Sequence, residues 1–316
     1  MQTRTIGSSG LTVGAIGLGC MGMSHLYDSA GRDDARSTEV LREAPGLGVT
    51  LIDTAAVYGP FLNESLVGAA LWGRRDEIVL ATKCGLYVNA DGVTVRDARP
   101  DTIIRECDES LRRLRTDVID LYQLHRVDPD VALEDSWGTM ADLQRQGKVR
   151  FIGLSEATLD EVKLAHAIAP VTSVQSELSL WTRQWVDDVL PWTAANDVAF
   201  LPYSPLGRGF LTGAITASTE FAADDMRAGN PRFQPSALSA NQALVDDVRA
   251  IAVRHDATPA QVALAWVLAQ GPQVIPIPGT KRSDRLRENA AAADLTLSVD
   301  ELRQLTDLPS AEGTRY

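Results

Sequence analysis

The sequence predicts a closed (β/α)8 barrel of the TIM type with an N-terminal β-hairpin as a cap. Three observations carry that prediction. Short apolar, β-branched runs recur eight times, a helix-length segment separates each from the next, and ionisable residues gather at the C-terminal ends of the runs. An open, doubly wound sheet is the competitor, but closing eight parallel strands removes both exposed sheet edges.

In chain order, TRTIGSSGLTV reads as a small hairpin turning at Gly7 to Gly10, placed to cap one end of the barrel. Strands are expected at 15–18, 50–53, 78–83, 118–125, 151–155, 173–177, 199–203 and 273–277. Helix starts are marked by capping boxes, in which Thr158 precedes Glu161, Thr258 precedes Gln261 and Ser298 precedes Glu301. Pro259 sits at a first helical position. From Pro100 to Arg115, Ile103, Ile104, Cys107, Leu111 and Leu114 form one apolar stripe that can lie on a sheet. Gly147 and Gly271 supply helix stops. Pro45 removes a helical hydrogen bond, so the first barrel helix is expected to end early. The stretch 204–240, rich in Gly, Pro and Ala, is too long for a passive connection and reads as a functional loop with short helices. No linker or repeat interrupts the pattern, so residues 1–316 are expected to form a single domain.

Composition narrows the function classes. A net charge of −12 argues against nucleic-acid and anionic-membrane partners. The first residues carry no apolar signal core, and no apolar run reaches the roughly 18 residues of a membrane span. Cys20, Cys84 and Cys107 are odd in number and share no metal-ligand spacing, as expected of free thiols in a reducing cytosol. No metal site is expected.

The most familiar motif, Gly17, Gly19 and Gly22 in AIGLGCMG, matches a dinucleotide fingerprint but fails its context. No amphipathic helix opens at the third glycine, and the acid ending the next strand, Asp53, lies too far along. A better set stands at the strand ends. Asp53 ends the second strand, Tyr58 follows in its loop, Lys83 ends the third and His125 the fourth. Singly, each has an ordinary structural explanation. Together they suit proton donation to a carbonyl: an ammonium at Lys83 stabilises the Tyr58 phenolate, Asp53 keeps Lys83 charged and oriented, and His125 bonds the substrate oxygen or relays its proton. Near the far end, Lys281, Arg282 and Arg285 form a basic group where Thr280 or Ser283 can cap a new helix. In an acidic protein that is an anion site, fit for a ribose 2′-phosphate and so for NADP over NAD. The competing explanation is solvated basic residues on a helix. Cys84 is taken as structural, and Trp181 and Trp185 as core.

LIDTAAVYG, NESLVGAAL, LATK, IDLYQLH, GLSEA, QSELSLW, YSPLGRGFLTG and IPGTKR with LREN resemble the aldo-keto reductase superfamily, from the hairpin to about Asn289. The likeness is to the bacterial and plant branch of general aldehyde reductases, related to potassium-channel β-subunits. The resemblance implies a barrel that binds NADP(H) extended, without a Rossmann fold, and passes hydride to a small-molecule aldehyde or ketone. It makes Tyr58 the general acid, with Lys83, Asp53 and His125 in the roles already given. It implies that Ser155 and Gln175 hold the nicotinamide amide, that Tyr203 stacks on the ring, and that Met21 touches the cofactor. Ser204, Leu206, Arg208 and Gly209 match the loop over the pyrophosphate. Gly279, Thr280, Lys281, Arg285, Glu288 and Asn289 match the group around the 2′-phosphate and adenine. The chain departs from many members in having Glu156 after Ser155, and it stops soon after its last helix, so a long C-terminal segment that shapes substrate choice is expected to be missing. Substrate choice falls to the loops 84–99 and 207–240. A non-catalytic, NADP-binding redox sensor is the alternative function; a Schiff-base aldolase on Lys83 is a third.

Overall fold

The structure, a computed structural model, describes residues 1–24, 26–27 and 31–315. An antiparallel hairpin, β1 (Thr3–Thr5) and β2 (Thr12–Gly14), opens the chain. Seven strands then pair in parallel and in chain order: β3 (Leu18–Gly19), β4 (Leu51–Asp53), β5 (Val79–Cys84), β8 (Ile119–Leu124), β9 (Val149–Ser155), β10 (Ser173–Glu177) and β11 (Ala199–Tyr203). A second hairpin, β6 (Leu86–Val88) and β7 (Thr94–Arg96), stands in the loop after β5.

The eighth expected strand closes the ring, but one-sidedly. Ile275 and Ile277 donate to the carbonyls of Phe200 and Pro202 in β11 at 2.8 and 2.9 Å, and Gly17 and Gly19 donate to Pro276 and Pro278 at 2.9 and 3.3 Å. Pro276 and Pro278 have no N–H to return to the β3 side, so segment 273–279 forms parallel bridges at Val274 and Gly279 rather than a regular ladder. The first strand is likewise shorter and later than the expected 15–18. Gly17 and Gly19 serve this seam: a Cβ on Gly19 would lie 2.7 Å from the Ile277 carbonyl, and one on Gly17 3.0 Å from that of Leu51.

Helices cover the outside: α1 (Asp34–Glu43), α2 (Leu62–Ala70), α3 (Pro100–Leu114), α4 (Leu133–Arg145), α5 (Leu159–Ile168), α6 (Val189–Ala195), α7 (Pro235–Arg254), α8 (Pro259–Leu268), α9 (Ser283–Ala291) and α10 (Val299–Thr306). The three capping boxes form at α5, α8 and α10. Pro45 ends α1 early: the chain tightens into a 3-10 turn over Ala44–Leu47. Two expectations need correction. The loop expected to run to residue 240 ends at Pro235, where α7 begins, because Pro at a first helical position favours the turn. At α9 neither Thr280 nor Ser283 caps the first turn; Thr280 Oγ1 instead accepts from Arg282 N at 3.1 Å, one step too early.

Two apolar layers hold the barrel. Outward residues such as Ile52, Leu80, Tyr122 and Leu154 pack against the helices. Inward residues, Leu51, Val79, Ala81, Leu121, Leu201 and Ile275, fill the interior with Ile6 and Val13 of the hairpin. The hairpin plugs the end where the strands begin. Arg4 donates there to the carbonyls of Leu268, Gly271 and Val274. Among the described residues no helix is long and apolar enough to cross a membrane. Gly19→Ala must push the closing segment from β3, and is expected to lower stability by about 1–3 kcal/mol in denaturant unfolding; an unchanged midpoint would remove the close approach as the reason for glycine.

Candidate active site

Strand periodicity delivers the site. Side chains alternate between faces, so Asp53, Lys83, Gln123, Gln175 and Tyr203 share the inward face with Leu51, Ala81, Leu121, Ser173 and Leu201, two residues nearer the plugged end. The inward apolar layer thus gives way at the C-terminal mouth to a polar one.

At its centre Lys83, 1% exposed, places Nζ 2.5 Å from Asp53 Oδ1, 2.8 Å from the Thr54 carbonyl and 3.3 Å from Tyr58 Oη. Asp53 Oδ2 accepts from Gln175 Nε2 at 2.8 Å and from Gln123 Nε2 at 3.2 Å, and Gln175 also donates to Gln123 Oε1 at 3.1 Å. Every strong contact of this buried pair is therefore hydrogen-bonded, the condition under which an ion pair tolerates burial. Asn63 fixes the surrounding loops: it accepts from Thr54 Oγ1 at 2.6 Å and donates to the Cys20 carbonyl at 2.9 Å and Ser24 Oγ at 2.7 Å. His125 is buried, its ring edge-on to Tyr58 with centroids 5.8 Å apart. All four residues expected at the mouth are thus together.

Burial opposes the Lys83 ammonium, which favours the Tyr58 phenolate as expected. Burial lifts the Tyr58 phenol above its ordinary range, outweighing the downward pull of the Lys83 ammonium. For Lys83, burial pulls down, but the charge of Asp53 and Tyr58 and their hydrogen bonds together hold the ammonium above the usual lysine range. The pair therefore presents a protonated phenol beside a protonated amine. Met21, Leu86 and Val88 pack with Val57 and Tyr58 to make an apolar wall at this spot. Cys84 points away, its Sγ 3.7 Å from Met140 Sδ, and burial raises its thiol far above the reactive range. Trp181 is core, stacked on Phe210 with centroids 4.2 Å apart, and Trp185 is buried.

The other expected residues trace a path along the rim. Ser155, buried at the end of β9, accepts from Arg126 at 3.2 Å. Ser204 and Arg208 adopt left-handed backbone conformations, with Gly207 and Gly209 alongside, in the turn that follows β11 and includes Leu206. Gly207 has no alternative there, since a Cβ would meet Trp181 at 2.9 Å. Gly279 pairs with Gly19, which sets Thr280 and α9 beside β3. In the basic group, Arg282 is paired with Asp284 at 2.5 Å and Arg285 with Glu288, while Lys281 reaches the Gly31 carbonyl at 3.1 Å. Asn289 is buried, and Glu288 Oε1 is buried with no partner among the described residues.

Sequence reasoning missed Gln123, Asn63, Arg126, Glu177 and Arg315. Gln123 was recoverable, because it lies on the inward parity of Leu121 in a strand whose end was already assigned to the mouth. Nor is the segment after the last helix without a role: residues 307–315 return to the mouth, where Arg315 pairs with Glu156 at 2.6 Å and Glu177 at 2.8 Å. The stretch after α10 is short, yet it reaches the site.

A parallel barrel with a buried Tyr, Lys, Asp and His at its C-terminal mouth defines a class of enzyme-like site. A profile described as "Aldo/keto reductase family" matches residues 15–309. The chain belongs to that family. It is 39% identical over 320 residues to "Probable aldo-keto reductase 1" of Glycine max, covering 100% of this chain and 92% of that protein. Among solved structures it is similar to the glycerol dehydrogenase of Gluconobacter oxydans (TM-score 0.87, 29% identity, 96% of this chain and 94% of that one). It is also similar to an aldo-keto reductase from Klebsiella pneumoniae in complex with NADPH (TM-score 0.77, 27% identity, 96% and 94% covered).

An ultraviolet difference titration of wild type against Tyr58→Phe is expected to show Tyr58 ionising above ~10, the usual tyrosine value, and Lys83→Met should move it higher still. Ionisation below that value would reverse the balance between burial and Lys83.

Proposed function

We propose that this protein reduces small aldehydes and ketones to alcohols with NADPH, and that Tyr58 is the proton donor. The single observation behind it is the Tyr58 phenol held protonated at 3.3 Å from the Lys83 ammonium, on an apolar wall. When bound, the cofactor supplies the hydride. As the carbonyl carbon is reduced, negative charge develops on its oxygen, and a neutral phenol with an adjacent cation is the donor that charge requires. The phenolate left behind is stabilised by Lys83, whose own charge Asp53 secures. His125, edge-on to Tyr58, is positioned to orient the carbonyl oxygen.

The rim residues fit the cofactor. Ser155 and Gln175 stand opposite each other on β9 and β10 for the carboxamide: Gln175 Nε2 is engaged by Asp53 and Gln123, and its amide oxygen is the atom an N–H would use. Tyr203 offers its ring, Met21 a contact, and Ser204, Leu206, Arg208 and Gly209 the pyrophosphate turn. At the far rim, the N-cap residue of α9, Arg282, makes no side-chain cap among the described residues, so the N-terminus of α9 and Lys281 suit a 2′-phosphate, with Gly279, Thr280 and Arg285 around it. Glu288, with a buried oxygen that has no partner among the described residues, and Asn289 suit the adenine amine. Residues 1–316 act as one unit, and the three buried free thiols fit a reducing, cytosolic setting.

Tyr58→Phe should cut carbonyl-dependent NADPH oxidation by about 10²–10⁴-fold or more while leaving the NADPH Kd within about twofold. Retained turnover would sink the assignment of Tyr58. Tight NADPH binding by wild type with no turnover over a broad carbonyl panel would favour the non-catalytic sensor instead. Lys281→Ala combined with Arg285→Ala is expected to reduce the NADPH-over-NADH preference about tenfold or more. An unchanged ratio, read from kcat/KM for each cofactor, would take the phosphate clamp away from these residues.

A further inference from the structure

After α10 the chain runs back to the mouth and is tied there at several points. Glu312 N donates to Asn241 Oδ1 at 2.8 Å, Asn241 Nδ2 to the Glu312 carbonyl at 3.1 Å, Arg232 Nε to the Gly313 carbonyl at 3.3 Å, and Asn230 Nδ2 to the Arg315 carbonyl at 2.9 Å. Gly313 has φ 90°, and a Cβ there would lie 3.0 Å from the backbone of Arg232, so the approach demands glycine. The Arg315 side chain that this path delivers is only 13% exposed.

Its guanidinium touches three strand ends at once. Nε donates to Glu177 Oε2 at 2.8 Å, at the end of β10. Nη2 pairs with Glu156 Oε2 at 2.6 Å, one residue past β9, and donates to Tyr203 Oη, at the end of β11. Glu156 is itself in the left-handed region at φ 55°, and its Oε1 accepts from Glu177 N at 2.9 Å, which ties β9 to β10 a second time. These are the strands that carry Ser155, Gln175 and Tyr203. Glu156 follows Ser155 directly, Glu177 lies two residues beyond Gln175 on the same strand face, and Tyr203 is bonded outright.

We propose that Arg315 is a positioning residue for the nicotinamide half of the cofactor pocket. The proposal rests on the NADPH assignment made under Proposed function. A planar fork with five donors can satisfy two carboxylates and a phenol in one orientation, and a lysine point charge cannot. Arg315 thereby fixes the tilt of the Tyr203 ring through its hydroxyl and holds Glu156 and Glu177, and with them the strand ends, in register. The adenine end, across the rim at α9, is untouched by this contact.

The test compares two probes, NADPH and adenosine 2′,5′-bisphosphate, which lacks the nicotinamide half, by calorimetric titration of wild type, Arg315→Ala and Arg315→Lys. Arg315→Ala is expected to weaken NADPH about tenfold or more and to leave the bisphosphate within about twofold, and Arg315→Lys to recover only part of the loss. NADPH affinity unchanged in Arg315→Ala, or both probes weakened alike as a general loosening would do, overturns the proposal. If Arg315→Ala does not fold, Glu156→Gln carries the same comparison: NADPH about threefold weaker with the bisphosphate unchanged supports the proposal, and equal effects overturn it. Failure of wild type to bind either probe would instead overturn the NADPH assignment itself.

Discussion

The buried Lys83–Asp53 pair, at 2.5 Å, is the contact on which the mouth of this barrel depends. Two charges taken from water cost several kcal/mol each unless the rest of their hydrogen-bonding capacity is met. Here it is met from four directions: Thr54, Tyr58, Gln123 and Gln175. Each of those groups is consequently held in place by the pair, and they come from three segments: Thr54 and Tyr58 from the loop after β4, Gln123 from β8 and Gln175 from β10. The pair is thus an electrostatic hub for three segments as well as the partner of Tyr58.

A second, smaller hub follows the same logic at the ends of β9 to β11. Glu177 is buried and meets Arg315 at 2.8 Å and Arg208 at 3.4 Å, with Arg232 at 3.9 Å. Glu156 adds a second carboxylate. The strand ends of β9 to β11 are held by ions supplied from outside the barrel, by the turn after β11, the turn before α7 and the segment after α10. The opposite end is closed by apolar means, with Ile6 and Val13 plugging an interior of aliphatic side chains. Charge is present at that end too, where Arg4 bonds three carbonyls and Asp120, near the start of β8, pairs with Arg75 and Arg150.

Much of this was legible in the sequence because the signals are local. The capping boxes at Thr158, Thr258 and Ser298 depend on a hydroxyl and an acceptor three residues apart, and all three form. Pro45 ended α1 for a reason contained in one residue. Strands buried on both faces often carry apolar runs, as β11 does, and β10 and β11 begin and end where expected. The errors fall where the deciding partner is distant. Segment 273–279 looked like any other strand, yet Pro276 and Pro278 leave its ladder one-sided, which matters only because Gly17 and Gly19 lie against it. Thr280 is a local exception: its hydroxyl accepts from Arg282 N, two residues on and one step too early to cap α9.

The sequence by itself determined which side chains face the barrel interior, since alternation along a strand is a covalent property of extended backbone. It also determined that Asp53, Tyr58, Lys83 and His125 would meet, because parallel strands bring their C-terminal ends to one mouth. The tertiary structure alone decided the energetic sign at Tyr58, where burial outweighs the Lys83 charge. It alone brought Arg315 across 138 residues of chain to Glu177. Desolvation and long-range ion pairing depend on everything that surrounds a group, and no window of sequence contains that surrounding.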